Sequence, residues 1–458
     1  MPDAPPRTAI LQRTAGAIAL CSAVVLPLIP WIDNGVAAIG GSAPAAVSEP
    51  VAATPLVSVD RIGDGTITAE LHVETGMVRG TERSVARLTS FSGEQVDRAG
   101  ATALRRAVRL TPPVADPFGP ITSPDVGDHC AASLDAADIS AFFSQRIGRF
   151  QGADYQRALR LADGRVLWTF QDAFVSGTLV HNVGMVQSGR CFTVLNSGSR
   201  SWLLGDLTSH MHQWQWILDG SMSADGTEVH LFVVQMNETG PRYLSRNRPT
   251  ALRRVVLDAT TLTPIRVVDE AAQGEDLYGW SITADRHHTY LYSNCYQQFG
   301  YDTPSGFGEC SEFVKLARVP LGDLDAEREY WDGAGWSFDS TFAVPVVDLG
   351  FTWAAINPAQ ISFDGERYLL VEKRDDWWGH TIEFGVADDP WGPFSNVSSV
   401  TQPLKCDGTL CNTYFAAWVP WLDSSGQNIW SIGHNRWNGA ETASHLSTYR
   451  PTFHTIDI

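Results

Sequence analysis

The alternation of apolar and polar residues from residue 150 onward predicts short β-strands that are paired by tight turns. A strand, a turn and a returning apolar strand recur five times, with turns at Asp163-Gly164, Asp225-Gly226, Asp285-Arg286, Asp364-Gly365 and Ser425-Gly426. Most turns lie about 60 residues apart, and units of antiparallel strands at a fixed period are typical of β-propellers. We therefore predict an all-β fold, a five-bladed β-propeller over residues 128–458. A two-sheet sandwich is the competing all-β interpretation, although it does not require five similar hairpins.

Two acidic residues lie at the open end of the first hairpin. Asp154 precedes its first strand, and Asp172 follows the returning strand. Asp-Gly between two apolar runs favours a tight turn, and a hairpin brings its open ends together. We therefore predict that the two carboxylates are neighbours.

The same geometry predicts the lining of a central pocket. In a propeller the first strand of each blade lines the channel, and the entry ends of these strands lie at one face. Here those positions are polar, acidic and aromatic, which suits a carbohydrate. The predicted substrate-binding residues are Tyr155, His181, His212, Trp214, Trp216, Tyr278, Trp280, Asn357, Gln360, Trp418 and His434, and Tyr414 occupies a further position of this ring.

The N-terminal segment indicates an exported protein, and the net charge bears on its partners. Arg7 and Arg13 precede an apolar run, as in a signal peptide; a retained membrane anchor is the alternative. We predict a signal peptide and leader over residues 1–46 and a linker with an accessory segment over residues 47–127. The formal net charge of -18 argues against nucleic acid and anionic membrane as partners. We expect a secreted or cell-surface protein, a monomer with no stable membrane partner after signal cleavage.

Six of the seven cysteines lie beyond the predicted signal peptide. An even number in an exported chain favours disulfides, and no pair of C-x-x-C motifs at zinc spacing occurs. Proximity along the chain pairs Cys295 with Cys310 and Cys406 with Cys411, which leaves Cys130 with Cys191.

Two segments resemble known glycoside hydrolases. GADYQRALRLADGRVLWTFQDAF, residues 152–174, resembles the opening blade of actinobacterial secreted propellers, some of which are endo-D-arabinanases. ADDPWGPF, residues 387–394, is similar to a blade ending of the wider arabinanase, xylosidase and fructosidase group. Tyr155 and Gln171 stand where many relatives have Gly, and Ala173 where Thr is usual. The resemblance implies a hydrolase and makes Asp172 the stronger of the two acidic candidates.

Glycoside hydrolysis needs one protonated and one ionised carboxyl group. We predict that Asp154 and Asp172 supply the base or nucleophile and a second, orienting carboxylate. The acid is expected from another blade: Asp276 precedes the third inner strand, and Glu372 leaves an apolar strand, a setting that raises a carboxyl pKa. Alternatively, both aspartates bind backbone amides at a turn, or Asp172 binds a structural calcium ion. No cofactor is required.

These observations together predict a glycoside hydrolase that acts on a furanoside-containing polysaccharide, with arabinan as the candidate substrate. The alternative is a carbohydrate-binding or cell-surface propeller without catalysis, because propellers host many functions.

Overall fold

The computed structural model divides the chain into two units, Met1–Arg106 and Ala107–Ile458. In the first unit, it describes the backbone of 57–58, 68–78 and 81–92. In the second unit, the described residues are 121, 123–196, 198, 200–204, 213–239, 246–270, 276–294, 313–349, 358–374, 381–401, 405–406, 409–436 and 443–458. The predicted signal segment therefore lies outside the described residues.

The first unit contains one antiparallel sheet within the predicted accessory segment. Its strands are β1 (Val57–Ser58), β2 (Thr68–Val78) and β3 (Thr81–Ser92), and β2 lies in the middle.

The described part of the second unit is nearly all-β, and five of its antiparallel sheets follow one another in chain order. Sheet 1 has the order β4-β11-β10-β7-β6, sheet 2 is β12-β13-β14-β15, and sheet 3 is β16-β17-β18-β19-β20 with β21 paired to β18. Their bounds are β4 (His129–Cys130), β6 (Arg157–Arg160), β7 (Val166–Phe170), β10 (Val183–Ser188), β11 (Cys191–Val194), β12 (Gln213–Met222), β13 (Glu228–Thr239), β14 (Arg246–Asp258), β15 (Pro264–Glu270), β16 (Leu277–Ala284), β17 (His288–Asn294), β18 (Phe313–Pro320), β19 (Glu329–Trp331), β20 (Trp336–Ser337) and β21 (Pro345–Asp348).

Sheets 4 and 5 have the orders β22-β23-β24-β25 and β26-β27-β28-β29. Their bounds are β22 (Gln360–Phe363), β23 (Tyr368–Lys373), β24 (Thr381–Ala387), β25 (Ser395–Thr401), β26 (Lys405–Cys406), β27 (Thr409–Leu422), β28 (Asn428–Arg436) and β29 (Thr452–Ile456). A small sheet of β5 (Phe150–Ala153), β8 (Ala173–Val175) and β9 (Thr178–Val180) lies beside sheet 1. The described helices are α1 (Ala136–Phe143) and two 3₁₀ turns, Ser340–Phe342 and Leu446–Thr448.

Turn chemistry at the predicted positions sets the register of the hairpins. In the first hairpin Gly164 adopts φ 84°, a left-handed conformation that glycine reaches at little cost. The turn after β16 has no glycine, and there the Asp285 carboxylate accepts hydrogen bonds from the backbone N–H groups of His287 and His288, at 2.7 and 2.8 Å. An aspartate can therefore close this turn by an Asx-type bond.

One strand of each of the five sheets contacts the corresponding strands of two other sheets, in cyclic order. β6 contacts β12, β12 contacts β16, β16 contacts β22, β22 contacts β27, and β27 contacts β6. The apolar core is accordingly divided into five clusters that fill the spaces between consecutive sheets. Helix α1 packs on β29 and places Phe143 in the cluster between sheets 5 and 1. Each large side chain buried in this way stabilises the fold by about 1.5–3 kcal/mol.

A disulfide joins Cys130 to Cys191. The two residues pair directly across β4 and β11, so this prediction is confirmed. Cys295 and Cys310 lie outside the described residues, and for Cys406 and Cys411 only the backbone is described. None of the helices that the structure describes is long and apolar enough to cross a membrane.

Replacing Cys130 and Cys191 by Ser is expected to lower the free energy of unfolding by about 4 kcal/mol, because the bond closes a loop with a sequence separation of 61 residues. Urea titration followed by circular dichroism under non-reducing conditions measures the effect. The single variant Cys130→Ser should match the double variant, since either change breaks the bond. An unchanged unfolding midpoint in both variants would contradict the prediction.

Candidate active site

Asp154 and Asp172 face each other where the first hairpin is interrupted. Strand β5 ends before Asp154 and β6 begins three residues after it, while β7 and β8 flank Asp172 on the returning side. The Asp154 N–H donates to the Asp172 carbonyl at 3.0 Å, and the Gln171 N–H donates to the Asp154 carbonyl at 3.1 Å. The hairpin ladder therefore continues through the interruption and holds both acidic residues in register.

The Asp154 carboxylate is buried and surrounded by hydrogen-bond donors. Its Oδ1 accepts from the backbone N–H of Asp172 at 3.1 Å, and its Oδ2 accepts from the hydroxyls of Tyr414 and Tyr449 at 2.6 and 2.7 Å. Burial, followed by the negative charge of Asp172, raises the pKa of Asp154 to about 7. The hydrogen bonds oppose this shift, because they favour the ionised form.

Asp172 is the more accessible carboxylate, with 26% of its side chain exposed. Its Oδ1 accepts from the indole N–H of Trp216 at 2.7 Å and lies 2.8 Å from Nδ1 of His181. The His181 ring stacks on Trp214 at a centroid distance of 5.2 Å. Three predicted substrate-binding residues are thus gathered around Asp172, two from β12 and one from the connection between β9 and β10.

The backbone beneath the two acids is held in an uncommon conformation. Tyr155 adopts φ 52°, which costs energy for a residue with a bulky side chain. Its buried ring packs edge-on against Phe415, and its hydroxyl donates to the carbonyl of Trp280 at 3.1 Å. These contacts with sheets 5 and 3 keep Tyr155 inside the core, so that Asp154, one residue earlier, remains at the interruption.

Gly152 allows Tyr449 to approach this hairpin. A Cβ at Gly152 would lie 2.3 Å from the Tyr449 carbonyl oxygen, which instead accepts a hydrogen bond from the N–H of Ala153 at 2.8 Å. Only glycine permits this close contact between the two backbone segments. It sets the position from which the Tyr449 hydroxyl reaches Asp154.

Most of the other predicted substrate-binding residues are buried between sheets. Tyr278 and Trp280 belong to the cluster between sheets 2 and 3, and Trp418 to the one between sheets 4 and 5. Gln360 accepts a hydrogen bond from the backbone N–H of Trp418. His434 lies 2.9 Å from the Thr452 hydroxyl, and burial lowers its pKa to about 4. His212 and Asn357 lie outside the described residues.

The other two predicted acids occupy different sheets. Asp276 forms an ion pair with Lys315 of β18 at 2.8 Å. Glu372 is buried in β23 and contacts Arg374 at 3.1 Å, and burial raises its pKa to about 7. The Asp154–Asp172 pair contacts sheets 2 and 5, whereas Asp276 and Glu372 belong to sheets 3 and 4.

Tyr449 could not be predicted from the sequence. It lies outside the repeated hairpins, after a short 3₁₀ turn, and its hydroxyl also donates to the Asp172 carbonyl at 3.2 Å. The sequence predicts Tyr414 only as one of the positions that line the central pocket, because no pattern indicates its hydrogen bond to Asp154. Within the described ranges no group of three or more His, Cys, Asp or Glu side chains could hold a metal ion, and the structural calcium stays a prediction.

Comparisons with known proteins identify a family. Residues 138–457 match the model described as Domain of unknown function (DUF5005), and the chain belongs to this family. No protein with a curated description matches the sequence.

Solved structures resemble this fold at low sequence identity. A candidate hydrolase from Bacteroides ovatus ATCC 8483 is 18% identical over 69% of this chain and 89% of that chain, with a TM-score of 0.51. The GH43_1 enzyme from Xanthomonas citri, solved with xylotriose, is 13% identical over 68% of this chain and 88% of that chain, with a TM-score of 0.39. CoXyl43, a β-xylosidase/α-arabinofuranosidase from a compost microbial metagenome, is 13% identical over 68% of this chain and 92% of that chain, with a TM-score of 0.40.

The raised pKa of Asp154 predicts how stability depends on pH. The folded chain keeps this proton up to about pH 7, whereas the unfolded chain releases it near the ordinary pKa of 3.8. The folded state therefore binds more protons between these values, so the free energy of unfolding falls as pH rises through this window. Asp154→Asn removes one titrating group and should make this slope less steep, by a few kcal/mol at most across the window, while Glu372, whose pKa is also raised, retains part of it.

Urea titrations at pH 4.5, 6 and 7.5 measure this slope. Asp163→Asn, an exposed change at the turn of the same hairpin, is the matched control and should retain the slope of the original protein. Identical slopes for the Asp154→Asn variant and the original protein would refute the assignment of the buried proton.

Proposed function

We propose that this protein is an exported five-bladed β-propeller that hydrolyses glycosidic bonds in a furanoside-containing polysaccharide, with arabinan as the first candidate. It acts as a monomer, secreted or at the cell surface. The observation that carries the proposal is the pair of neighbouring carboxyl groups at the hairpin interruption, one accessible and held in a fixed orientation and the other buried beside it, as expected of a base or nucleophile with an orienting carboxylate.

The five sheets support the propeller. Each sheet contributes one strand that contacts the corresponding strands of two other sheets, and apolar clusters separate the sheets. A sandwich would bury its core between two sheets instead.

Asp172 is assigned as the base or nucleophile. It is the more exposed acid of the pair, and the bonds from Trp216 and His181 fix the orientation of its carboxylate. Asp154 is the second carboxyl, which carries a proton near neutral pH and responds to the charge on Asp172. Asp276 remains the candidate for protonation of the leaving group, whereas Glu372 lines a separate groove between sheets 3 and 4.

The aromatic side chains beside Asp172 suit a carbohydrate. Trp214, His181 and Trp216 form a continuous series of ring contacts, with centroid distances of 5.2 and 5.8 Å. Aromatic faces contact the apolar faces of sugar rings, while the indole N–H groups provide polar edges. Trp214 and Trp216 are 8% and 7% exposed, so a sugar next to the Asp172 carboxylate would meet only a small part of each indole.

Binding of a carbohydrate without hydrolysis is the second candidate function. The observation that favours it is the hydrogen bonding of Asp154, whose two carboxylate oxygens both accept bonds from groups of the protein. A carboxylate engaged in this way also serves as a purely structural link between strands and tyrosines.

Asp172→Asn is expected to reduce hydrolysis at least 100-fold, because a neutral amide cannot act as base or nucleophile. The purified protein and the variant are incubated with arabinan, arabinogalactan, xylan and fructan, and released sugars are quantified. Asp163→Asn, at the far end of the same hairpin, should retain full activity. Equal release by the Asp172→Asn variant and the original protein would remove Asp172 from the mechanism. Binding of a polysaccharide without any release would favour the second candidate function.

Trp216→Phe tests whether the indole N–H positions Asp172. Loss of a hydrogen bond to a charged group should lower kcat roughly 10- to 100-fold, with a smaller change in KM. Trp418→Phe is the control, because the Trp418 indole donates to the Leu369 carbonyl in the core instead. It should reduce stability but leave kcat near that of the original protein. A kcat that is unchanged in the Trp216→Phe variant would contradict the positioning role.

A further inference from the structure

A second concave site lies between sheets 3 and 4. It is a groove of about 360 Å³, within the range of roughly 300–1,000 Å³ that is common for small-ligand pockets. Strand β21 forms one wall, and β23, β24 and the segment that follows β24 form the other. Its apolar lining includes Val346, Val347, Leu370, Phe384, Pro393 and Phe394.

The polar lining of this groove carries excess negative charge. Glu372 contributes a carboxylate from β23, Glu383 lies directly opposite it on β24, and Asp348 comes from β21. Arg374 is the cation of the lining, and it contacts all three elements: Oε1 of Glu372 at 3.1 Å, Oε2 of Glu383 at 3.5 Å and the Asp348 carbonyl at 2.7 Å. One guanidinium therefore contacts two carboxylates and one backbone carbonyl oxygen, in a lining that carries three carboxyl groups.

One oxygen of the buried Glu372 lacks a donor. The side chain is 6% exposed, and among the described residues Oε2 has no hydrogen-bond partner. Burial of an unpaired carboxylate oxygen is costly. The pKa of Glu372 is raised to about 7, first by burial and then by the charges of Glu383 and Asp348, while Arg374 opposes the shift. Oε2 is closed to solvent as the side chain stands, so a rotation of the Glu372 carboxylate would bring this oxygen to a cationic donor in the groove.

We infer that the groove between sheets 3 and 4 binds a ligand that carries a protonated primary amine on a compact apolar body. The ammonium group supplies the donor and the positive charge that Glu372 lacks, and the body fits against Phe384 and Phe394. A neutral hydroxyl would supply the hydrogen bond but would leave the excess negative charge uncompensated. Free alkylamines and amino sugars share this chemistry.

This site is independent of the proposed hydrolytic site. The groove is built from sheets 3 and 4 alone, whereas the side chains around Asp154 and Asp172 come from sheets 2 and 5 and from the connection between β9 and β10. Asp172→Asn should therefore abolish hydrolysis and leave amine binding unchanged, so the two proposals can fail separately.

The test compares ligands of the same size that differ in charge. Cyclohexylammonium and cyclohexanol form one pair, and glucosamine and glucose form the other; titrations at pH 7 are followed by calorimetry and by ligand-observed NMR. We expect cyclohexylammonium to bind at least tenfold more tightly than cyclohexanol. The same preference for glucosamine over glucose would identify amino sugars as ligands, whereas a preference confined to the first pair would identify alkylamines.

Glu372→Gln is the decisive variant, because it keeps the size of the side chain and removes the charge. It should weaken cyclohexylammonium binding at least tenfold and leave cyclohexanol binding unchanged, and thermal unfolding verifies that the variant is folded. In the original protein, affinity for cyclohexylammonium should rise between pH 5.5 and 8, as Glu372 loses its proton. Equal affinity for the charged and neutral ligands, or full binding by the Glu372→Gln variant, would overturn the inference.

Discussion

The hydrogen bonds of the Asp154 carboxylate link the first hairpin to sheet 5 and to the segment before its last strand. They run to Asp172 in the first hairpin and to Tyr414 and Tyr449, which belong to sheet 5 and to the segment just before β29. The packing of α1 on β29 reinforces the same junction. This interaction between the first hairpin and sheet 5 is thus also the interaction that shapes the candidate site. Loss of Asp154 would therefore affect the fold and the chemistry together.

The repeated pattern of the sequence predicts the local structure of this protein well. Each predicted hairpin has a turn at the expected place, because short-range turn chemistry and alternation do not depend on distant parts of the chain. The juxtaposition of Asp154 and Asp172 follows from the same local rule, since they flank one hairpin. Cys130 and Cys191 pair directly across neighbouring strands of one sheet.

The sequence does not reveal which aromatic residues reach the site. Trp214 and Trp216 both lie near Asp172. Alternation along the strand places them on the same face as Leu218, which is a core residue, so the pattern does not distinguish a core position from a position at the site. Trp280 and Trp418 have the same sequence signature but are enclosed between sheets. Their surroundings depend on how neighbouring sheets pack, which is a long-range property. Tyr449 illustrates the same limit, because its role depends on a contact with Gly152 almost three hundred positions away along the chain.

The close contact between Gly152 and Tyr449 has a consequence for biogenesis. Ala153 and Asp154 obtain some of their hydrogen-bond partners from residues that the ribosome adds much later. A nascent chain that ends before Tyr449 would lack one of the two hydroxyls on Asp154 and the backbone contact that orients it. The chain therefore cannot assemble this carboxyl environment during most of its synthesis. Maturation of the site is coupled to the closing step of folding.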